Sequence, residues 1–212
     1  MNGTGPRRPG KIIGVGRNYR DHAAELGNSV PAQPLLFLKP ATTVIGDGAA
    51  IVLPAESTQV DFEGEIGVVI GARLRRATEA QARGGIAGIT CVNDVTARDL
   101  QRSDEQWTRA KGFDTFCPVG PRVVAIAPER FGELEVLCRV NGVVRQHGRA
   151  RDMVFPITTL VMYISQVMTL EPGDLIATGT PAGIGPLHAG DVAEVEIPGV
   201  GVLRNPVTTE AR

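Results

Sequence analysis

The chain has 212 residues, a length that suits one domain and can bury a sizeable core without disulfide or zinc staples. It is 42% hydrophobic and 21% charged, with 22 basic side chains, 23 acidic ones and a net charge of −1. That balance excludes a disordered chain, and the even mixing of signs excludes the basic stripe of a nucleic-acid binder.

Residues 1–10, rich in Gly, Pro and Arg, read as a flexible tail ahead of a single domain over 11–212. The tail has two arginines but no apolar segment behind them, so no secretory signal is expected. With 26 glycines and 15 prolines between short apolar runs, the pattern predicts many short strands and tight turns. The spacing predicts strands over 11–16, 35–38, 60–70, 88–93, 119–125, 134–140, 143–147, 175–178, 192–197 and 201–205. Helices are fewer: 18–26, stopped by Gly27; 77–83; and 157–168, entered through Pro156. Asn141-Gly142 between two strand-like runs predicts a type I′ hairpin. Strands and helices do not alternate regularly, so the fold class is a strand-dominated α+β domain.

Cys91, Cys117 and Cys138 are odd in number and form no C-x-x-C pair. They suit neither a disulfide framework nor a cysteine zinc site, and they fit a reducing cytoplasm. No apolar run approaches membrane-spanning length, so no membrane partner is expected.

The segment QVDFEGEIGVVI (59–70) carries the most chemistry. Its even positions are apolar or glycine, while Asp61, Glu63 and Glu65 alternate with them. Such alternation means a half-buried strand with its acids on one face, roughly 7 Å apart at Cα, where like charges repel. One reading is a solvated outer face. The other is a hard divalent ion, Mg²⁺, Mn²⁺ or Ca²⁺, because carboxylates without Cys or His select such ions. Two ligands are too few, and Asp94, closing the apolar run GIAGITCVND, is the natural third. His22 and Glu25, three apart on a predicted helix, share one face; they make either a surface ion pair or a dyad able to take a proton. His147 and His188 fall in predicted turns with no acid at useful spacing.

Two phosphate-loop readings fail on spacing. GVGRNY (14–19) lacks the third glycine of a dinucleotide fingerprint. TGTPAGIG, ending at Gly185, lacks G-K-[ST] and is expected to form turns whose backbone NH groups line a pocket.

Six segments then stand in order: GRNYRDHAAE (16–25), FLKP (37–40), FEGEIGVVIG (62–71), NDVTARDLQ (93–101), WTRAKGFDTFCPVGP (107–121) and GDLIATGTPAGIGP (173–186). Together they make the chain similar to the fumarylacetoacetate hydrolase family, in its short bacterial and mitochondrial branch. The resemblance implies a mixed β-roll or β-sandwich with a few short helices, and a homodimer. It implies Mg²⁺ or Mn²⁺ on Glu63, Glu65 and Asp94, a catalytic His22–Glu25 pair and an active-site lysine, Lys111. It also implies substrate contacts from Arg17, Arg98, Gln101 and Thr180. The enzyme that names the family has a further Asp ligand on the strand before its histidine; here that strand reads IIGVG, which favours the oxo-acid branch. The function implied is a metal-dependent C–C hydrolase or decarboxylase acting on small 2-oxo acids such as acylpyruvates, fumarylpyruvate or oxaloacetate. The alternatives are an isomerase of the 2-hydroxyhepta-2,4-diene-1,7-dioate type and a non-catalytic protein with a structural ion.

Overall fold

A computed structural model describes residues 9–210. The tail expected over 1–10 therefore lies, as far as residue 8, outside the described residues. The chain opens with β1 (Ile12–Gly16), α1 (Arg20–Glu25), β2 (Leu35–Lys39), β3 (Val44–Ile45) and β4 (Ile51–Leu53). Next come β5 (Val60–Phe62), β6 (Gly64–Ile70), α2 (Glu79–Gly84), β7 (Ile86–Asn93) and β8 (Thr96–Ala97). Two short helices follow, α3 (Arg98–Ser103) and α4 (Thr108–Gly112), then β9 (Cys117–Val124), β10 (Glu135–Val140) and β11 (Val143–Arg149). The chain closes with α5 (Ile157–Val167), β12 (Leu175–Ala177), β13 (Gly185–Pro186), β14 (Val192–Ile197) and β15 (Gly201–Thr209).

The strands form a seven-stranded sheet ordered β2-β1-β12-β6-β7-β9-β3 and a five-stranded sheet ordered β11-β10-β14-β15-β4. A small third sheet, β13-β5-β8, sits beside them. Pairing is mixed: β1–β12, β3–β9 and β4–β15 run parallel, and the remaining pairs antiparallel. The two large sheets meet face to face through β6, β7 and β9 against β10, β14 and β15. Ile66, Val68 and Ile89 pack in one core with Cys138, Val195 and Leu203. This is the strand-dominated α+β architecture that the pattern predicts.

Local chemistry explains most boundaries. In α5 the buried residues Ile157, Leu160, Val161 and Ile164 recur at helical spacing, which docks the helix against α2. α2 begins with a reciprocal capping box between Thr78 and Gln81. Asn141 and Gly142 take φ of 52° and 77°, the left-handed pair that a type I′ hairpin requires. α1 starts later than predicted because Asn18 is occupied elsewhere. Its side chain donates to the carbonyls of Thr178 and Phe155 and accepts from the Phe155 NH, tying the start of α1 to two distant segments.

Three expectations are corrected. The strand predicted over 60–70 breaks at Glu63: β5 joins the small sheet while β6 enters the large one. The strand is also not half-buried, since Asp61, Glu63 and Glu65 are all at most 4% exposed. The helices α3 and α4 were not anticipated. They are six and five residues long, too short to display a helical period, and they bring Arg98 and Lys111 onto Glu63. His147 lies within β11 rather than in a turn, and its Nε2 is 3.1 Å from Glu135 Oε2 on the paired strand β10.

Candidate active site

The acids converge because of strand register. Gly64 of β6 pairs with Asn93 of β7, so the residue after β7, Asp94, arrives beside Glu63 and donates its NH to the Glu63 carbonyl at 2.8 Å. Asn93 Oδ1 in turn accepts the Glu63 NH at 2.9 Å. One oxygen each from Glu63, Glu65 and Asp94 then lies within 4.8 Å of the other two, and all three residues are buried.

Three cations answer this negative charge. Arg98, at the start of α3, donates to Asp61 Oδ2 at 2.9 Å and to Glu63 Oε1 at 2.5 Å. Lys111, on α4, bridges Glu63 Oε2 at 2.9 Å and Asp94 Oδ2. Lys39, at the end of β2, bonds Asp94 Oδ1 at 2.6 Å and the Val95 carbonyl at 3.2 Å. Burial opposes ionisation of Glu63, but Lys111 and Arg98 outweigh it and hold its carboxyl below the usual range. Burial likewise opposes the charge on Lys111, yet Asp94 and Glu63 raise its pKa.

Glu65 differs. Burial, then Asp94, then Glu63 push its carboxyl well above the usual range. Its direct hydrogen bond is from the Gly179 NH to Oε2, at 2.8 Å, and it has no ion pair among the described residues. An all-oxygen trio of this size with one uncompensated member fits a hard divalent cation; Glu63, Glu65 and Asp94 would hold it.

His22 is buried on α1, with Nδ1 3.1 Å from Glu25 Oε2. The other oxygen of Glu25 accepts the Gly183 NH at 3.0 Å, so the glycine-rich loop anchors the dyad. Gly183 sits at φ 100°, and a Cβ there would fall 2.1 Å from the Arg145 carbonyl oxygen. As expected of TGTPAGIG, the loop forms no helix and turns two backbone NH groups to the site, from Gly179 and Gly183.

A cavity of about 490 Å³ gathers all ten residues singled out by sequence: Arg17, His22, Glu25, Glu63, Glu65, Asp94, Arg98, Gln101, Lys111 and Thr180. Gln101 Oε1 accepts from Arg98 at 2.5 Å, and the Thr180 hydroxyl donates to the Gly64 carbonyl at 3.0 Å. One wall is aromatic. Phe37 and Trp107 meet edge to face at 5.4 Å, and Lys111 Nζ stands 4.9 Å from the Phe37 ring centre. Gly14 makes room for that wall, since a Cβ there would lie 2.1 Å from Phe37 Cζ.

Four contributors escaped the sequence reading. Lys39 and Asp61 complete the ion pairs behind the trio, and Arg102 lines the cavity. Gln146, on β11, is fully buried: its Nε2 donates to Thr180 Oγ1 and the Pro181 carbonyl, both at 2.7 Å, and its Oε1 accepts the Gly64 NH at 2.9 Å. It therefore clamps the peptide between two candidate ligands to the glycine-rich loop. Lys39 stood within FLKP and Asp61 on the acidic face, so both had a signal; Gln146 had none. His147 and His188 line no part of this cavity, although each has an acid in reach: Glu135 across the strand and Asp191 three residues on.

Residues 11–208 match the family model described as Fumarylacetoacetate (FAA) hydrolase C-terminal. The chain resembles the crystal structure of a 2-hydroxyhepta-2,4-diene-1,7-dioate isomerase from Mycobacterium marinum, with a TM-score of 0.89 and 47% identity over 98% of this chain and 78% of that one. It is 44% identical to a mitochondrial oxaloacetate tautomerase of Bos taurus, across 94% of this chain and 67% of the relative. A 2,4-didehydro-3-deoxy-L-rhamnonate hydrolase of Sphingomonas is 41% identical, across 94% and 73%.

Proposed function

This chain belongs to the fumarylacetoacetate hydrolase C-terminal family, and from that premise we propose that it is a metal-dependent enzyme acting on small 2-oxo acids through their enol form. One observation carries the reading. A buried carboxylate trio with an uncompensated member opens into the same cavity as a His–Glu dyad and a buried lysine. A structural ion site requires neither the dyad nor the cavity, which disfavours a non-catalytic role.

Mg²⁺ or Mn²⁺ on Glu63, Glu65 and Asp94 would supply Lewis acidity where the 2-oxo acid docks. The protein's own groups do the rest. Glu25 fixes His22 through Nδ1 and leaves Nε2 to exchange a proton with the substrate carbon or with water. Lys111 and Arg98 offset the carboxylate charge, so that an anionic substrate is not repelled. Arg17, Gln101 and Thr180 orient the bound acid, and Phe37 and Trp107 restrict water on one side.

Among the outcomes open to an enol, keto–enol or double-bond isomerisation is the one we favour, supported by the names of the M. marinum isomerase and the B. taurus tautomerase. C–C hydrolysis or decarboxylation is the second reading, supported by the Sphingomonas hydrolase. An ultraviolet assay with Mg²⁺ tests this, using oxaloacetate, acetylpyruvate, fumarylpyruvate and a 2-hydroxydiene dioate. The expected result is a change in the enol band with no CO₂ released and no carbon chain cleaved. Cleavage products would install the second reading, and inertness toward all four acids with Mg²⁺ or Mn²⁺ would overturn the proposal.

A further inference from the structure

Each acid of the trio has one oxygen engaged by a separate donor. Lys39 Nζ holds Asp94 Oδ1 at 2.6 Å, Arg98 holds Glu63 Oε1 at 2.5 Å, and the Gly179 NH holds Glu65 Oε2 at 2.8 Å. The other oxygens of Glu63 and Asp94, Oε2 and Oδ2, meet at one place, since Lys111 Nζ bonds both. The trio is thus arranged to offer one oxygen from each residue rather than two.

Lys39 differs from the other cations of the site. Arg98 and Lys111 line the cavity; Lys39 does not, and its side chain is fully withdrawn from water. It comes from the end of β2 and reaches Asp94 from within the protein, out of contact with anything the cavity could admit. A second bond, to the Val95 carbonyl at 3.2 Å, fixes the ammonium in place. In such dry surroundings a positive charge 2.6 Å from Oδ1 strongly repels any other cation that approaches the same oxygen.

The number of oxygens that a carboxylate lends decides between hard ions. Mg²⁺ is small, keeps several waters and takes few carboxylate oxygens, whereas Ca²⁺ gathers about six to eight oxygens and readily uses both of one carboxylate. We propose that Lys39 is an ion-selecting residue: by occupying Oδ1 it confines Asp94 to a single ligating oxygen, and so turns the trio toward Mg²⁺ and against Ca²⁺. This role rests on the metal reading above and adds to it a positioning residue that acts through Asp94, touching neither ion nor substrate.

Titration calorimetry of Mg²⁺ and of Ca²⁺ into the wild type, Lys39→Met and Lys39→Gln reads the ratio of the two affinities. The wild type should bind Mg²⁺ more tightly. Both variants remove the charge, and in both the ratio should move toward Ca²⁺ by about tenfold or more, the lower end of what a residue behind a metal ligand contributes. A merely structural lysine would weaken both ions alike, so an unmoved ratio overturns the inference, as does a wild type that prefers Ca²⁺. A second measurement needs no variant and does not depend on their folding. In wild-type crystals saturated with Ca²⁺, Asp94 should contact the ion through Oδ2 alone, and contact through both oxygens overturns the inference. Each of those results, with ions bound, leaves the metal reading standing; if the wild type binds neither ion, both fall together.

Discussion

Lys39 and Asp94 are 55 residues apart in sequence and 2.6 Å apart in space, with both side chains withdrawn from water. Asp94 therefore has a cation on each oxygen, Lys39 on Oδ1 and Lys111 on Oδ2. Removing one partner of a buried pair leaves an uncompensated charge, which typically costs about 3–5 kcal/mol. Lys39→Met should lower the unfolding free energy of the metal-free protein by about that much in urea titrations. A loss under about 1 kcal/mol would show that Lys111 alone holds Asp94.

Glu65 behaves in the opposite way. Its charge is disfavoured by burial and by two acids, so a neutral amide at this position removes a strain from the metal-free protein. Glu65→Gln should melt no lower than wild type without metal, yet lose Mn²⁺ affinity by about 100-fold or more in calorimetry. Undiminished Mn²⁺ affinity would remove Glu65 from the ligand set.

His22→Asn keeps a polar side chain on α1 and removes the proton-transfer group. Turnover should fall by about 10²–10⁴, the usual contribution of a general base or acid. Mn²⁺ affinity should stay within about threefold, because His22 is outside the carboxylate trio. Normal turnover would assign the proton transfer to another residue.

Gln146→Leu deprives the Gly64 NH, the Thr180 hydroxyl and the Pro181 carbonyl of a partner. Each unsatisfied buried group costs about 1–3 kcal/mol. The variant should therefore melt well below wild type, and Gln146→Glu should recover only part of the loss, since a carboxyl cannot donate two hydrogen bonds. Full recovery with glutamate would mean that the two donated bonds contribute little.

Asp99 ties the loop before β5 to the start of α3. It accepts from the Ser57 hydroxyl, from the NH and hydroxyl of Thr58, and from the Leu100 NH. Burial opposes its charge, but these donors together outweigh it and lower its pKa from 3.8 to about 2. A depressed carboxylate pKa adds stability that is complete above the unfolded value of 3.8 and is lost as pH falls toward about 2. Asp99→Asn should accordingly flatten the acid limb of the stability profile between about pH 4 and pH 2. An unchanged limb would assign acid sensitivity to other carboxylates.

The acids and the His22–Glu25 pair were readable from residue spacing, whereas Arg17, Arg98, Gln101, Lys111 and Thr180 came only with the family resemblance. The alternation in 59–70 identified Glu63 and Glu65 because side chains of an extended chain change face at every residue. His22 and Glu25 could be paired because three residues on a helix return nearly to the same face, and their contact at 3.1 Å follows from that local geometry alone. Lys39 was missed because a lysine that closes an apolar run usually extends its charged head into solvent. Gln146 was missed because an isolated glutamine has no periodic signature, and its three partners come from three separate segments. The helices over α3 and α4 escaped because five or six residues carry too few turns for a period to emerge.

From its sequence alone this protein was determined to be a strand-rich α+β domain whose acids could serve a hard ion and whose histidine could serve as a base. Those properties depend on residue type and short-range periodicity. Only the folded chain decided that the acidic face is interior rather than solvated, because burial depends on what later segments of the chain bring to it. Only it brought Asp94 to Glu63, since that contact depends on the register of β6 against β7. Local spacing sets which way a side chain points, and long-range pairing sets what it meets.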